Sequence, residues 1–484
     1  MTPRLATRYW HSLESAVTAH SAIFMIGVSW AFGGNADWVR TPISAWGSLG
    51  MVLTLLIAAS GRARERVIPG TLTWALPVLL LNLVVGASCL TPGLKSVAFN
   101  HEYLLMPVRI GWWIPSAARP GVALRSLWLF DGFFFSGLNI ALAVSRKGVI
   151  RILLAVLVAN ALALSIFGTV QKLIGSTGIY FGAVKSPQDY FFASFVYDNH
   201  WGAFMIIMLG AAIGLVLRYA KGSRNDGFFH GPAFAGVVAA SLMAITVPLS
   251  GSRACTLQLA VLLAIAIANG TPRISRALKL SGASSAQAAM AMILAAVLVG
   301  GGIWMVAGDV IHARAAKTRE QVAAMWAQGG IGSRGVLYHD TWRMARERLL
   351  FGWGMGSFPT IFGFYNTQES KIDRIPVVYH DAHSDWLQSV AEIGLAGTTL
   401  IGCTVLLPIW AIRRKRVTPI PYFLFIGLAL VSAYAWVEFP FGNAAVVLAW
   451  WLCFFCSIQY IRLSAAPEAA TLPSLNVLTC HTDT

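Results

Sequence analysis

Apolar runs of about 20 residues recur along almost the whole chain, separated by short connections, and that recurrence constrains the fold more than any other feature. A helix of this length crosses the hydrocarbon core of a bilayer while satisfying its own backbone hydrogen bonds. The runs cover Ala16–Phe32, Pro42–Ser60, Thr71–Leu90, Ala123–Val144, Val149–Ile174, Trp201–Leu217, Pro232–Leu249, Ala254–Asn269, Ala286–Ala307, Asp385–Ile412, Pro419–Val437 and Phe441–Ile461. Composition agrees: 57% of residues are hydrophobic, only 12% are charged, and mean hydropathy is +0.66. A soluble domain carries roughly 25% charged residues and could not hide so much apolar surface. The expected fold is an all-α integral membrane protein of about twelve transmembrane helices.

The net charge of +16 does not point to nucleic acid, because the basic residues are scattered in short clusters rather than gathered on one polar domain. The clusters are Arg4 and Arg8; Arg62, Arg64 and Arg66; Arg146, Lys147 and Arg151; Arg218, Lys221 and Arg224; Arg273, Arg276 and Lys279; and Arg413 to Arg416. They fall on alternate connections, which by the positive-inside rule puts both termini in the cytoplasm and requires an even number of spans. A cleaved signal peptide is the rival reading of the first run, but no small-residue cleavage site follows it. The chain therefore divides into nine helices over 1–307, a large extracytoplasmic loop with short helices over 308–384, three helices over 385–461, and a polar tail over 462–484 expected to be disordered. Two other outer segments are long, Thr91–Val122 and Gly175–His200. Cys89, Cys255, Cys403, Cys453 and Cys456 lie in apolar stretches and Cys480 in the tail, so the C-x-x-C of Cys453 and Cys456 reads as buried thiols rather than a metal or redox pair.

Chemistry-bearing residues gather on the outer side. Within the large loop, Arg334 to Leu349 has helical spacing, with Leu337, Thr341, Met344 and Arg348 on one face. Arg334, Arg343, Arg346 and Arg348 place positive charge where it is ordinarily scarce, which suits an anionic ligand such as a diphosphate or a lipid headgroup. The alternative is a solvated face balanced by Asp340 and Glu347. The glycines of FGWGMGSF, Phe351 to Phe358, follow no strand and read as tight turns rather than a nucleotide loop. The loop ends in YHDAHSD, Tyr379 to Asp385. Its two imidazoles, His380 and His383, and its two carboxylates could hold a divalent cation. A general base is the more economical reading, with His383 at the mouth of a span taking a hydroxyl proton near neutral pH. Arg253, in LSGSRA, joins two apolar runs with almost no loop, and a charge so close to lipid is expensive unless it is paired or functional. Asp198, Asn199 and His200 precede another run, as contacts to sugar hydroxyls or as an interfacial helix cap. Asp131, inside a run, is expected to pair within the bundle, without a catalytic role.

These residues resemble the O-antigen ligase and polymerase superfamily of bacterial envelope glycosyltransferases. The most specific match is HSDWLQSVAEIGLAG, His383 to Gly397, which is similar to the segment following that family's large periplasmic loop. LSGSRA around Arg253, the helix leading into FGWGMGSF, GTVQKLIG around Gln171 and YDNHWGAF around Asn199 support it, in the family's order, over Gly168 to Gly397. Leu349 and Leu350 stand where the family commonly has a proline, a departure that touches a turn rather than the chemistry.

The resemblance implies a multi-pass protein of the bacterial inner membrane with its active site facing the periplasm. It implies a donor, a glycan on undecaprenyl diphosphate, and as acceptor lipid A-core or another glycan. His383 would activate the acceptor hydroxyl, while Arg253 and Arg334 would bind the diphosphate. Asn199, His200, His380 and Arg343 are possible substrate contacts. Glu392, about two and a half helical turns below His383, is read as a structural partner. Neither a cofactor nor a metal is required by this scheme, and membrane lipids are the other expected partners, with no nucleic acid. A polymerase using the same donor is the nearest alternative; a secondary transporter, with polar residues and broken helices near the midplane, is the more distant one.

Overall fold

The computed structural model describes residues 3–60, 70–99, 102–188, 190–220, 231–280, 332–368 and 377–465, with the single positions 301, 308 and 319. Its helices are α1 (Pro3–Trp30), α2 (Asp37–Ala59), α3 (Leu76–Cys89), α4 (Pro120–Ala143), α5 (Lys147–Leu173), α6 (Asp198–Ala220), α7 (Pro232–Ser250) and α8 (Arg253–Leu280). After the loop helices α9 (Gly332–Glu347) and α10 (Phe358–Ile361) come α11 (Asp385–Ile412), α12 (Pro419–Tyr434) and α13 (Ala444–Ala465). Outside the described residues lie all but position 301 of the expected span Ala286–Ala307, the basic residues Arg62, Arg64, Arg66, Lys221 and Arg224, most of the loop before Gly332, and the tail after Ala465 with Cys480.

Among the described residues, nine helices are long and apolar enough to cross a membrane; α1 carries the first expected run and α12 is a shorter apolar helix. The protein is an all-α membrane protein. Two small antiparallel hairpins, β1 (Leu94–Phe99) with β2 (Glu102–Pro107) and β3 (Gly178–Ile179) with β4 (Val184–Lys185), sit in the long segments read only as outer connections.

Two helices are apolar all round and nearly enclosed, α6 with 89% and α13 with 94% of the spanning window buried. Such helices belong at the centre of a bundle. Small residues let neighbours approach: a Cβ at Gly214 would stand 2.9 Å from Ile420 Cα, and one at Gly47 2.8 Å from Gly132 Cα. Several polar side chains inside the bundle are paired, which offsets the cost of their burial. Asn82 donates to Asp131 at 3.0 Å, and buried Glu14 accepts from Arg146 at 2.7 Å. Cys453 and Cys456 are buried free thiols in α13.

The expected span Asp385–Ile412 is not one continuous helix. Gly394, at φ +66° and ψ −174°, breaks α11 in a backbone region that is essentially restricted to glycine. A helix would bond Leu395 and Ala396 N–H to the carbonyls of Ala391 and Glu392. Instead Leu395 N donates to Leu349 O at 2.8 Å and Ala396 N to Leu350 O at 3.0 Å, while Trp353 N donates to Ala391 O at 3.0 Å and Gly354 N to Glu392 O at 2.7 Å. The loop 349–354 thus inserts into the break and satisfies all four backbone groups, the condition for irregular backbone in an apolar setting. The glycine-rich segment is a set of tight turns, with Gly352, Gly354 and Gly356 all at positive φ.

Candidate active site

The broken helix fixes the position of the residues above it. Glu392, in the last turn before the break, accepts from Gly356 N at 2.7 Å, Phe358 N at 3.1 Å and Gln388 Nε2 at 3.2 Å. Gln388 in turn accepts from Ala382 N at 2.9 Å, tying the helix back to the residue before His383. We expect Glu392→Ala to cost about 1–3 kcal/mol for each of the two backbone donors it leaves unpaired. Thermal unfolding in detergent should show the loss, with Glu392→Gln losing less because its amide oxygen still accepts.

His383 itself has φ +49°, and its carbonyl accepts from the Tyr338 hydroxyl at 2.9 Å. Ser384 caps α11, accepting from Leu387 N, and Asp385 accepts from Phe441 N at 2.8 Å. These bonds draw the α12–α13 connection over the head of α11. His383 Nδ1 lies 3.1 Å from Glu438 Oε2, and the Phe439 ring meets the imidazole edge-on at 4.8 Å between centroids.

The other carboxylate oxygen of buried Glu438 accepts from Arg334 Nη2. Arg334 Nη1 donates to Val437 O at 3.1 Å. Burial works against the Arg334 charge, but the Glu438 carboxylate outweighs it and raises the guanidinium pKa. One helical turn separates Arg334 from Tyr338, so a single face of α9 reaches both Glu438 and His383. Arg334 therefore stands beside His383 with part of its hydrogen-bonding capacity committed to protein acceptors, and its side chain remains 51% exposed.

From the opposite side come the head of α6 and the α7–α8 junction. His200 Nε2 is 3.1 Å from Phe439 O, and the His200 ring is edge-on to Phe439 at 5.1 Å. Asn199 donates to the Tyr197 hydroxyl at 2.8 Å and accepts from Ser252 Oγ at 2.5 Å. Burial, with the Glu438 and Asp198 charges, pushes the Tyr197 phenol well above its ordinary pKa, so it stays a neutral hydroxyl. Gly251, at φ +95°, ends α7, and α8 starts two residues later at exposed Arg253. A chain of contacts through Ser252, Asn199, His200 and Phe439 thereby joins the Arg253 turn to His383.

His380 is exposed next to Asp381. Burial raises the Asp381 carboxyl above the usual carboxylate range, and the charges of His383, Arg40 and His380 offset this only in part. Asp381 and Asp385 line a cavity of about 270 Å³ that also has an apolar wall, formed by Phe130, Ile401, Trp450 and Trp451. Arg343 lies elsewhere on α9, 3.7 Å from buried Asp340, and no contact among the described residues joins it to His383. Arg348 is likewise spent on packing: it donates to Ser116 and to Val108 O at 2.9 Å, and stacks on Trp353 at 3.8 Å.

Glu438, Phe439 and Tyr338 were not singled out by sequence reasoning. The signal available for Glu438 was a carboxylate in the very short connection between the apolar runs Pro419–Val437 and Phe441–Ile461.

The fold and site define a multi-pass membrane protein with a histidine, a carboxylate and arginines assembled where several helices end together. Residues 238–402, from within α7 to within α11, match the family described as O-Antigen ligase. About a third of the chain is therefore similar to the O-antigen ligase family. Comparison with curated proteins gives no match.

Proposed function

We propose that the protein is an O-antigen ligase-like glycosyltransferase that moves a glycan from undecaprenyl diphosphate to a lipid A-core sugar hydroxyl on the periplasmic face of the inner membrane. The observation that carries this reading is the position of His383, held by Tyr338 and Glu438 at the head of α11, in one contact network with the Arg253 turn.

The acceptor oxygen attacks the anomeric carbon, the bond from that carbon to the diphosphate oxygen breaks, and undecaprenyl diphosphate departs with the electron pair. His383 takes the hydroxyl proton. Diphosphate is already a good leaving group, so it needs charge stabilisation rather than protonation; Arg253 and Arg334 supply it. A single displacement without an enzyme nucleophile inverts the anomeric centre. The apolar wall of the cavity beside Asp381 suits the donor's isoprenoid chain.

The test is transfer by the purified full chain in nanodiscs, given undecaprenyl-diphosphate-linked glycan and lipid A-core. Wild type should extend lipid A-core, and Arg253→Ala should slow it by about 10²- to 10³-fold, the usual effect of removing one charge-stabilising donor. Lengthening of glycan chains with lipid A-core untouched would make the protein a polymerase. Inertness with either acceptor would refute the reading.

A further inference from the structure

We propose that Glu438 is the positioning residue for His383: it holds the imidazole with Nε2 turned to the acceptor hydroxyl and supplies the counter-charge when the ring takes the proton. This rests on the reading of His383 as the base. Glu438 is only 4% exposed, and burying a carboxylate is costly unless its oxygens find partners. The two are divided, Oε1 to Arg334 and Oε2 to His383 Nδ1 at 3.1 Å.

An ionised carboxylate only accepts hydrogen bonds, so its contact with Nδ1 puts the ring hydrogen there. The lone pair of the neutral imidazole is then on Nε2. Phe439, edge-on to the ring, limits its rotation, and His200 holds the Phe439 carbonyl in turn. During transfer, the acceptor proton moves to Nε2 as the new carbon–oxygen bond forms. The imidazolium so created faces a carboxylate that remains ionised, an arrangement that stabilises the charge without a second proton transfer. A merely structural Glu438 would need only Arg334.

Glu438→Gln is the informative variant because it keeps the side chain's shape. Its amide oxygen can still accept from Arg334, but that places the amide NH₂ opposite Nδ1 and favours the tautomer with the proton on Nε2. The loss of turnover should be about 10²- to 10⁴-fold, as when an orienting carboxylate becomes an amide.

Rates, donor KM and thermal unfolding are measured for the full chain in nanodiscs as wild type, Glu438→Gln, His383→Asn and the double variant. The expected result is a fall in kcat for Glu438→Gln, with donor KM and unfolding temperature close to wild type. Adding Glu438→Gln to His383→Asn should cost little more, since residues acting as one unit are non-additive. Wild-type kcat in Glu438→Gln, the full loss repeated in the double variant, or a loss that only follows a lowered unfolding temperature would overturn the inference while leaving His383 as base. Full activity in His383→Asn, or an inert wild type, would instead remove the reading beneath it.

Discussion

Replacing His383 by asparagine is expected to lower glycan transfer by about 10²- to 10⁴-fold, the range that general-base catalysis contributes, while the protein stays folded. Asparagine is the right replacement because the position has φ +49°. Asparagine tolerates that backbone conformation better than most residues, so the carbonyl can keep its bond from Tyr338. Its amide can donate to Glu438 as the imidazole does, leaving no buried carboxylate without a partner. What it cannot do is take a proton near neutral pH. The loss should therefore appear in kcat, with donor KM nearly unchanged, because the diphosphate contacts assigned to Arg253 and Arg334 are untouched. Retention of more than about a tenth of wild-type turnover would leave too small a factor for a general base and would move the proton acceptor elsewhere in the site.

The features legible in the sequence were those carried by local pattern. Hydropathy located the helices because each spanning run is long enough to be read by itself. His383 and Arg253 stood out because a titratable or charged group at the mouth of an apolar run is conspicuous without reference to any other residue. Glu438 did not, because its significance depends on partners 55 and 104 residues away. Arg334 was conspicuous for its charge, but its commitment to Glu438 is a tertiary fact. The hairpin from Leu94 to Pro107 lay in a connection with no strong alternating pattern, and its base is anchored by Arg348 through Val108 O, across 240 residues. The break at Gly394 was hidden for a related reason: a glycine in an apolar run reads as a tolerated helix position, and its loop partner lies some forty residues earlier.

That break also bears on transport. Discontinuous helices in transporters leave backbone groups to coordinate substrate or ions. Here the carbonyls of Ala391 and Glu392 and the amides of Leu395 and Ala396 are all bonded to the loop 349–354. The interruption serves to seat the glycine-rich loop and, through Glu392 and Gln388, to set the height of His383 above it. It is a joint within the scaffold of the site.

If the joint has that role, Gly394→Ala should cost about 3 kcal/mol or more of stability, combining the price of a glycine-only conformation with the overpacking of a well-filled contact. A Cβ at Gly394 would overlap the Leu350 carbonyl, and one at Gly352 would overlap the Glu392 carbonyl. Neither obstacle is a flexible side-chain end that could swing away. Relieving the overlap means withdrawing the loop, and with it the four backbone bonds that close the break. Gly402, on the same helix with open space where its Cβ would go, provides the control: Gly402→Ala should be neutral or stabilising, since alanine is favoured over glycine in a helix by about 1 kcal/mol. Thermal unfolding in one detergent can compare Gly394→Ala, Gly352→Ala, their combination and Gly402→Ala. Because the two junction substitutions open the same joint, the second should add less than it costs alone. Glycan transfer should fall with Gly394→Ala even below its unfolding temperature, since His383 stands at the head of the half-helix whose height the joint sets. Equal stability of Gly394→Ala and Gly402→Ala would mean that the loop does not hold the break, and the link from the glycine-rich segment to His383 would have to be abandoned.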